Sequence, residues 1–401
     1  MRRIARSATP AARLPRLRPE SDELLHLDAL RFIAAVGVVL YHIWEVLGLG
    51  PVDPASRAIS SLNLFVDLFF VISGFVISWV YAGKIKTVQD YGRFLHKRVA
   101  RLWPLHLLLL GGFIALGAVS EMMSGGSLAP RFDCFWPHVL LLHGMGVCAA
   151  PMFNYPSWSI SAEMGMYALF PVYLLVARDW RAGLLAVLLA TLALTALSPP
   201  TRPWWEWTHD LGVLRAVPGF LLGVVFYRVR GTLARIPAAR ALVWVALALF
   251  LGAAALGLPK GPVLLPLVYV VGALGIAADL RGPTAFVRHL GPAGQLTYSV
   301  YMWHAFLLAL ITSSTVQGLI GNPVGNDLRT WVIGLMAVIF PISYVSLFWI
   351  EQPARRWINR LGSSRRGATG PSRTDPRDDQ DNALIASSPP STRALETPKP
   401  E

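Results

Sequence analysis

The chain has 401 residues, of which 54% are hydrophobic and only 15% charged, with 14 tryptophans and a formal net charge of +13. Soluble domains are about a quarter charged, so a water-soluble globular protein is excluded and a polytopic membrane protein expected. The basic residues gather in short segments beside apolar runs, which is the positive-inside pattern and not a polynucleotide surface, so no nucleic-acid partner is expected.

The N-terminal stretch 1–23 is basic but lacks an apolar core and a cleavage site, so it is not read as a signal peptide. It is either a cytoplasmic arm held near anionic lipid or a leader without a role. Apolar runs then place about ten spans, near Ala29–Gly48, Leu64–Ala82, Leu102–Val119, Ala162–Ala177, Ala182–Leu197, Val213–Tyr227, Ala241–Leu258, Val263–Ala278, Leu296–Thr315 and Thr330–Ile350. Residues 120–156 are too interrupted for a span, and VLLLHGMGVC within them has the length of a re-entrant or interfacial piece.

With the N-terminus inside, Lys84–Arg101, Arg178–Arg181, Arg228–Arg240 and Arg281–Arg288 fall on one side with the tail, all rich in Arg and Lys. The opposite segments, Pro51–Asn63, Ser120–Ser157, Ser198–Gly212 and Val316–Leu328, carry fewer basic residues. Both termini are therefore expected in the cytoplasm. Residues 362–401 cannot form a core and are expected to be a disordered tail. That leaves 24–361 as an all-α membrane domain with no soluble enzymatic domain appended. Cys134 and Cys148 share an outward segment and either pair or stay as buried thiols, and no metal-ligand spacing is present.

Ionisable residues inside apolar runs are the candidate functional groups, because hydrocarbon penalises them unless they are satisfied. LDALRFIAAVGVVLYH sets Arg31 and His42 eleven residues apart. That spacing returns to the same helix face about 16 Å further along. His42 is a catalytic imidazole or a hydrogen-bonding link between helices, and Arg31 a site residue or a snorkelling anchor. Asp28 is placed to pair with Arg31 or to favour the helix dipole.

In FVDLFFVISGFVIS the carboxylate of Asp67 needs a partner, and His42 is the expected one, oriented by it. Ser73 and Gly74 suit helix packing, with Ser73 also a cavity candidate. HKRVARLWP puts Arg98 and Arg101 on one helix face, where two guanidinium forks suit phosphate or simply mark a cytoplasmic boundary. WSISAEMGMY starts a helix with Ser159 or Ser161 near its cap and Glu163 in its first turn, as a capping or an acid/base carboxylate, beside Trp158 as a cavity candidate. YSVYMWHAF carries Tyr301 and His304 as further cavity candidates, and Glu351 in FWIEQPARR is expected to pair with nearby arginines.

In that order, LDALRFIAAVGVVLYH, FFVISGF, KRVARLWP, WSISAE, SVYMWH and FWIEQPAR resemble the acyltransferase-3 family of integral-membrane enzymes, over roughly residues 24–357. The resemblance implies about ten helices, an acyl-coenzyme A donor, and carbohydrates or glycosylated small molecules as acceptors. It makes Arg31 and His42 essential, puts Arg98 and Arg101 on the pair associated with the donor, and puts Glu163 on the motif's acidic residue. The chain departs from the pattern after His304, where Ala-Phe follows without a nearby proline.

The expected function is transfer of an acyl group, acetyl first, from acyl-CoA as co-substrate, with no permanently bound cofactor and no metal. The expected site is His42, Arg31, Glu163 and Asp67 for chemistry, with Arg98 and Arg101 for the donor. His42 would act as general base or as covalent acyl carrier. An Ala- and Arg-rich composition hints at a bacterial source, and the expected location is the inner membrane in contact with lipid. The rivals are a transporter or flippase, which ten spans with intramembrane charges also suit, and a silent scaffold.

Overall fold

A computed structural model describes residues 15–17, 24–124, 134–150, 152–312 and 326–364, and among them none lies in a strand. Helix α1 (Leu25–Val46) opens the bundle. The first N–H groups of a helix lack internal acceptors, and here a carboxylate from far along the chain supplies them. Asp279 accepts from the backbone N–H groups of His26 and Leu27 at 2.7 and 3.0 Å, and its Oδ1 lies 2.8 Å from His26 Nδ1.

Helix α2 (Pro54–Ser60) starts on an Asp53–Ser56 capping box with proline in its first turn, and α3 (Phe65–Tyr81) follows it. Helix α4 (Val88–Ser124) has 37 residues. At about 1.5 Å per residue it far exceeds a hydrocarbon core about 30 Å thick. The basic stretch holding Arg98 and Arg101 is thus the start of the same helix that crosses the membrane.

After the short α5 (Phe135–Val139) come α6 (Trp158–Ala168) and α7 (Phe170–Val176), bent by 61° where Pro171 follows the break. Proline has no N–H for the helix ladder, which accounts for the bend. Then come α8 (Trp180–Leu197), α9 (Gly212–Arg228), α10 (Arg230–Leu233), α11 (Ala239–Ala255), α12 (Leu265–Asp279) and α13 (Ala285–Leu290). The last are α14 (Thr297–Thr312), α15 (Asn326–Val345) and α16 (Gln352–Ser364).

A helix lies at each of the ten expected spans. Among the described residues, six runs are long and apolar enough to cross a bilayer, or seven with the bent α6–α7 pair as one. The expected ten is not reached by that measure, because α9, α11 and α14 have only 17, 17 and 16 residues. The protein is nonetheless an all-α polytopic membrane protein. Helix α16 runs to Ser364, past the expected start of the tail at Gly362. The rest of the tail and most of the N-terminal arm lie outside the described residues.

Two helices meet without side chains between them. A Cβ on Gly74 of α3 would stand 2.1 Å from the Phe220 carbonyl oxygen, and one on Gly223 of α9 2.1 Å from that of Val71. Only glycine permits that approach, as the sequence reading of Gly74 anticipates.

Residues 134–150, expected not to span, form a cap. Cys134 and Cys148 are joined in a disulfide with Cα atoms 5.6 Å apart. The rings of His138 and His143 stack at 4.0 Å, with His106 of α4 5.4 Å from His143. Burial pushes both His138 and His143 below the ordinary imidazole range, His143 the further. Donor atoms of Cys134, His138 and Cys148 lie within 4.8 Å of one another. The sulfurs are spent in the disulfide, and both His138 nitrogens face carbonyl oxygens, of Cys134 and Met152.

Candidate active site

Helices α1, α3, α4, α6 and α14 enclose a cavity whose lining includes Arg31, Ser73, Arg98, Arg101, Ser159, Glu163, Tyr167, Tyr298 and Tyr301. Three arginines therefore meet at one space from two helices. The helical i, i+3 spacing brings Arg98 and Arg101 to the same side of α4. The guanidinium of Arg98 lies over the rings of Tyr81, Phe94 and Tyr167, 5.2–6.0 Å from their centroids, and its Nη2 donates to Tyr81 Oη at 2.9 Å. An aromatic setting of this kind holds a cation without neutralising it. Arg31 Nη1 stands 3.7 Å from Asp28 Oδ1, the pairing expected from their spacing.

Glu163 is not in the first turn of its helix, because a short 3₁₀ turn over Tyr155–Ser157 starts the run earlier and the N-cap is Ser157. It is the sixth residue of α6 and enters the cavity instead of capping a helix end. Ser73 Oγ donates to its Oε1 at 2.6 Å, and Tyr167 Oη, one turn on, donates to the same oxygen at 2.5 Å. Ser73 thus reaches across helices to a carboxylate.

His42 and His304 lie next to each other. His42 Nδ1 is 3.0 Å from His304 Nε2, with ring centroids 5.0 Å apart. Neither ring belongs to the cavity lining. The link between pair and cavity is Tyr301, which lines the space and contacts the His304 ring at 5.6 Å. Tyr301 Oη is held 2.7 Å from Ser159 Oγ and donates to the Pro156 carbonyl at 2.9 Å.

Three sequence expectations fail on geometry. Asp67 pairs with Arg215 of α9 and not with His42: Arg215 Nη2 and Nε donate to its two oxygens at 2.7 and 3.3 Å. A buried carboxylate takes the strongest donor within reach, and a guanidinium offers two. Trp158 does not line the cavity; its ring lies under the Arg215 guanidinium at 5.2 Å. His304, the third, stands against His42 and does not line the cavity, while Glu351 accepts from the Ser299 and Ser346 hydroxyls at 2.5 and 2.9 Å.

Sequence reasoning missed Arg215, Tyr167 and Tyr298. Arg215 carries the signal that singled out Asp67, a lone charge in an apolar run, and Tyr167 stands one helical turn after Glu163 in the same motif. Tyr298 donates to the Leu102 carbonyl from α14, a contact without a sequence signature.

An acyltransferase domain model matches residues 24–348, most of the chain. The chain belongs to the acyltransferase-3 family. It is 28% identical over 235 residues to the acyltransferase MdmB of Streptomyces mycarofaciens, covering 52% of this chain and 58% of that protein. It is 27% identical over 271 residues to the exopolysaccharide production protein ExoZ of Rhizobium meliloti (strain 1021), covering 64% and 80%. Nodulation protein 10 of Rhizobium leguminosarum bv. viciae is 24% identical over 373 residues, 85% and 95% of the two chains. No solved structure matches the chain. Family membership decides between enzyme and transporter: the protein is a membrane acyltransferase.

Proposed function

We propose that the protein transfers an acyl group, acetyl first, from acyl-coenzyme A to a hydroxyl of a carbohydrate or glycosylated small molecule at a bacterial inner membrane, with both termini cytoplasmic. The observation that carries this reading is the meeting of Arg31, Arg98 and Arg101 at one cavity that ends on Tyr301, against the His42–His304 pair. Guanidinium forks suit the donor's phosphates. The thioester end then points past Tyr301 towards His42. The names of relatives such as ExoZ, tied to exopolysaccharide production, support a carbohydrate acceptor.

In the chemical step His42 is the general base. Its Nδ1 donates to His304 Nε2, which leaves Nε2 to take the acceptor's hydroxyl proton. The acceptor oxygen bonds to the thioester carbonyl carbon, the C–S bond breaks, and the proton on His42 passes to the departing coenzyme A sulfur. Glu163, fixed by Ser73 and Tyr167, faces the same space as the arginines and orders the donor side of the cavity. Asp67 supports the site through Arg215 and takes no part in proton transfer.

The donor assignment is tested by calorimetric titration of coenzyme A into the purified protein. Hydrogen bonds to charged groups contribute about 1.5–3 kcal/mol, so Arg98→Ala and Arg101→Ala should each weaken binding by roughly tenfold to a hundredfold. Lysine should rescue poorly, since it cannot form the fork. Unchanged affinity in both alanine variants would reduce the pair to topology signals.

A further inference from the structure

The accessible part of His42 lies outside the donor cavity. His42 is partly exposed, yet it does not line that cavity. His304 occupies one face of its ring, and the rings of Tyr41 and Tyr155 flank it at 4.9 and 5.1 Å. Beyond these tyrosines stand three charged side chains from different parts of the chain. The Glu45 carboxylate faces the Tyr41 hydroxyl one turn along α1. Glu206, from the α8–α9 connection, and Lys260, just before α12, are brought together where the Trp205 ring packs on Gly261, 2.3 Å from the place of a Cβ there.

Lys260 is engaged, donating to the Ser60 carbonyl at 3.0 Å. Glu45 and Glu206 are exposed, and among the described residues neither forms an ion pair. Two tyrosine rings therefore border the histidine, and on the Tyr41 side stand two exposed carboxylates with spare acceptor capacity. All belong to the end of the bundle that carries the Cys134–Cys148 cap, opposite the basic segments around Lys84 and Arg281.

We infer that this vestibule is the acceptor site: a sugar residue enters from the disulfide-capped end, its hydroxyls donating to Glu45 and Glu206 while a ring face lies on Tyr41 and Tyr155. Charge-assisted hydrogen bonds from vicinal hydroxyls to a carboxylate, with C–H groups on an aromatic face, are the chemistry by which such a surface holds a polyol. One hydroxyl then meets His42 Nε2. The inference rests on the acyl-transfer reading above and adds to it the acceptor's side of entry and its ligands. Donor and acceptor approach the histidine pair from opposite ends, so neither has to leave before the other binds.

The test needs neither turnover nor the natural acceptor. Val46 lies one turn beyond His42 on the same helix face and is 36% exposed. The native cysteines are joined to each other, so Val46→Cys supplies a free thiol for a membrane-impermeant maleimide. The probes are the methyl glycosides of glucose, galactose, mannose and rhamnose. At twice its dissociation constant a bound probe should slow alkylation about threefold, and coenzyme A should not. Adding Glu45→Gln or Glu206→Gln should remove the protection while coenzyme A affinity stays at the parental value.

The inference is overturned if no glycoside slows alkylation, if coenzyme A protects the thiol as well as the glycosides do, or if protection survives both glutamine changes. Loss of coenzyme A binding, by contrast, would count against the donor assignment alone, because the alkylation rate reads the vestibule without it.

Discussion

At the residue scale the two polar pairs do different work. His42 and His304 share one hydrogen bond in which no carboxylate or guanidinium takes part, so replacing His42 leaves no ion-pair partner behind. General-base catalysis contributes about 10²–10⁴-fold, and His42→Asn should lower acyl transfer by at least that order with normal expression and normal coenzyme A binding. Steady-state transfer by purified protein decides it; turnover near the parental rate would make His42 a structural link. Asp67 and Arg215 are both nearly inaccessible, and breaking such a pair leaves a buried charge uncompensated. Asp67→Asn or Arg215→Met should each cost roughly 3–5 kcal/mol in stability, and the double variant much less. Thermal unfolding in detergent reads the difference, and a double-variant loss equal to the sum of the two single losses would show that the pair is not coupled.

At the element scale the crossing of α3 and α9 sets where Ser73 and Asp67 stand. Two glycines hold the backbones together at a distance no side chain would allow. Overpacking of that kind costs about 1–3 kcal/mol, so Gly74→Ala and Gly223→Ala should both lower the melting temperature. Gly74→Ala should also weaken coenzyme A binding, because it displaces Ser73 from Glu163. Alanine at either position without a change in melting temperature would mean that the helices pass further apart. Gly111, in contrast, has nothing within 4 Å of an added Cβ, and Gly111→Ala serves as the neutral control.

For the whole molecule, the disulfide cap marks one end of the bundle and the Lys- and Arg-rich segments the other. If the basic end is cytoplasmic, a cysteine introduced at Lys86 should react with an impermeant maleimide only after the cells are permeabilised. Val52→Cys, 83% exposed at the capped end, should react in intact cells. The joined native cysteines keep the background silent. Labelling of position 86 in intact cells would invert the topology, and with it the sides assigned to donor and acceptor.

The sequence by itself determined the class of the protein, the order of its helices and most of the cavity. An apolar run in hydrocarbon has helix as its simplest fully hydrogen-bonded state, and the family motifs carry Arg31, Arg98, Arg101 and Glu163, all of which reach one space. Local spacing also sufficed for Asp28 with Arg31, since one helical turn brings them together whatever the rest of the fold does. Tertiary structure alone decided who meets whom across helices. It gave Asp67 to Arg215, set His42 against His304, turned Ser73 from packing towards Glu163, and drew Trp158 away from the cavity to lie beneath an arginine. Such pairings depend on helix rotation and crossing, which are fixed by contacts such as Gly74 on Phe220 between segments far apart in the chain. A lone buried charge announces in sequence that it has a partner; which partner it takes is settled only when the helices pack.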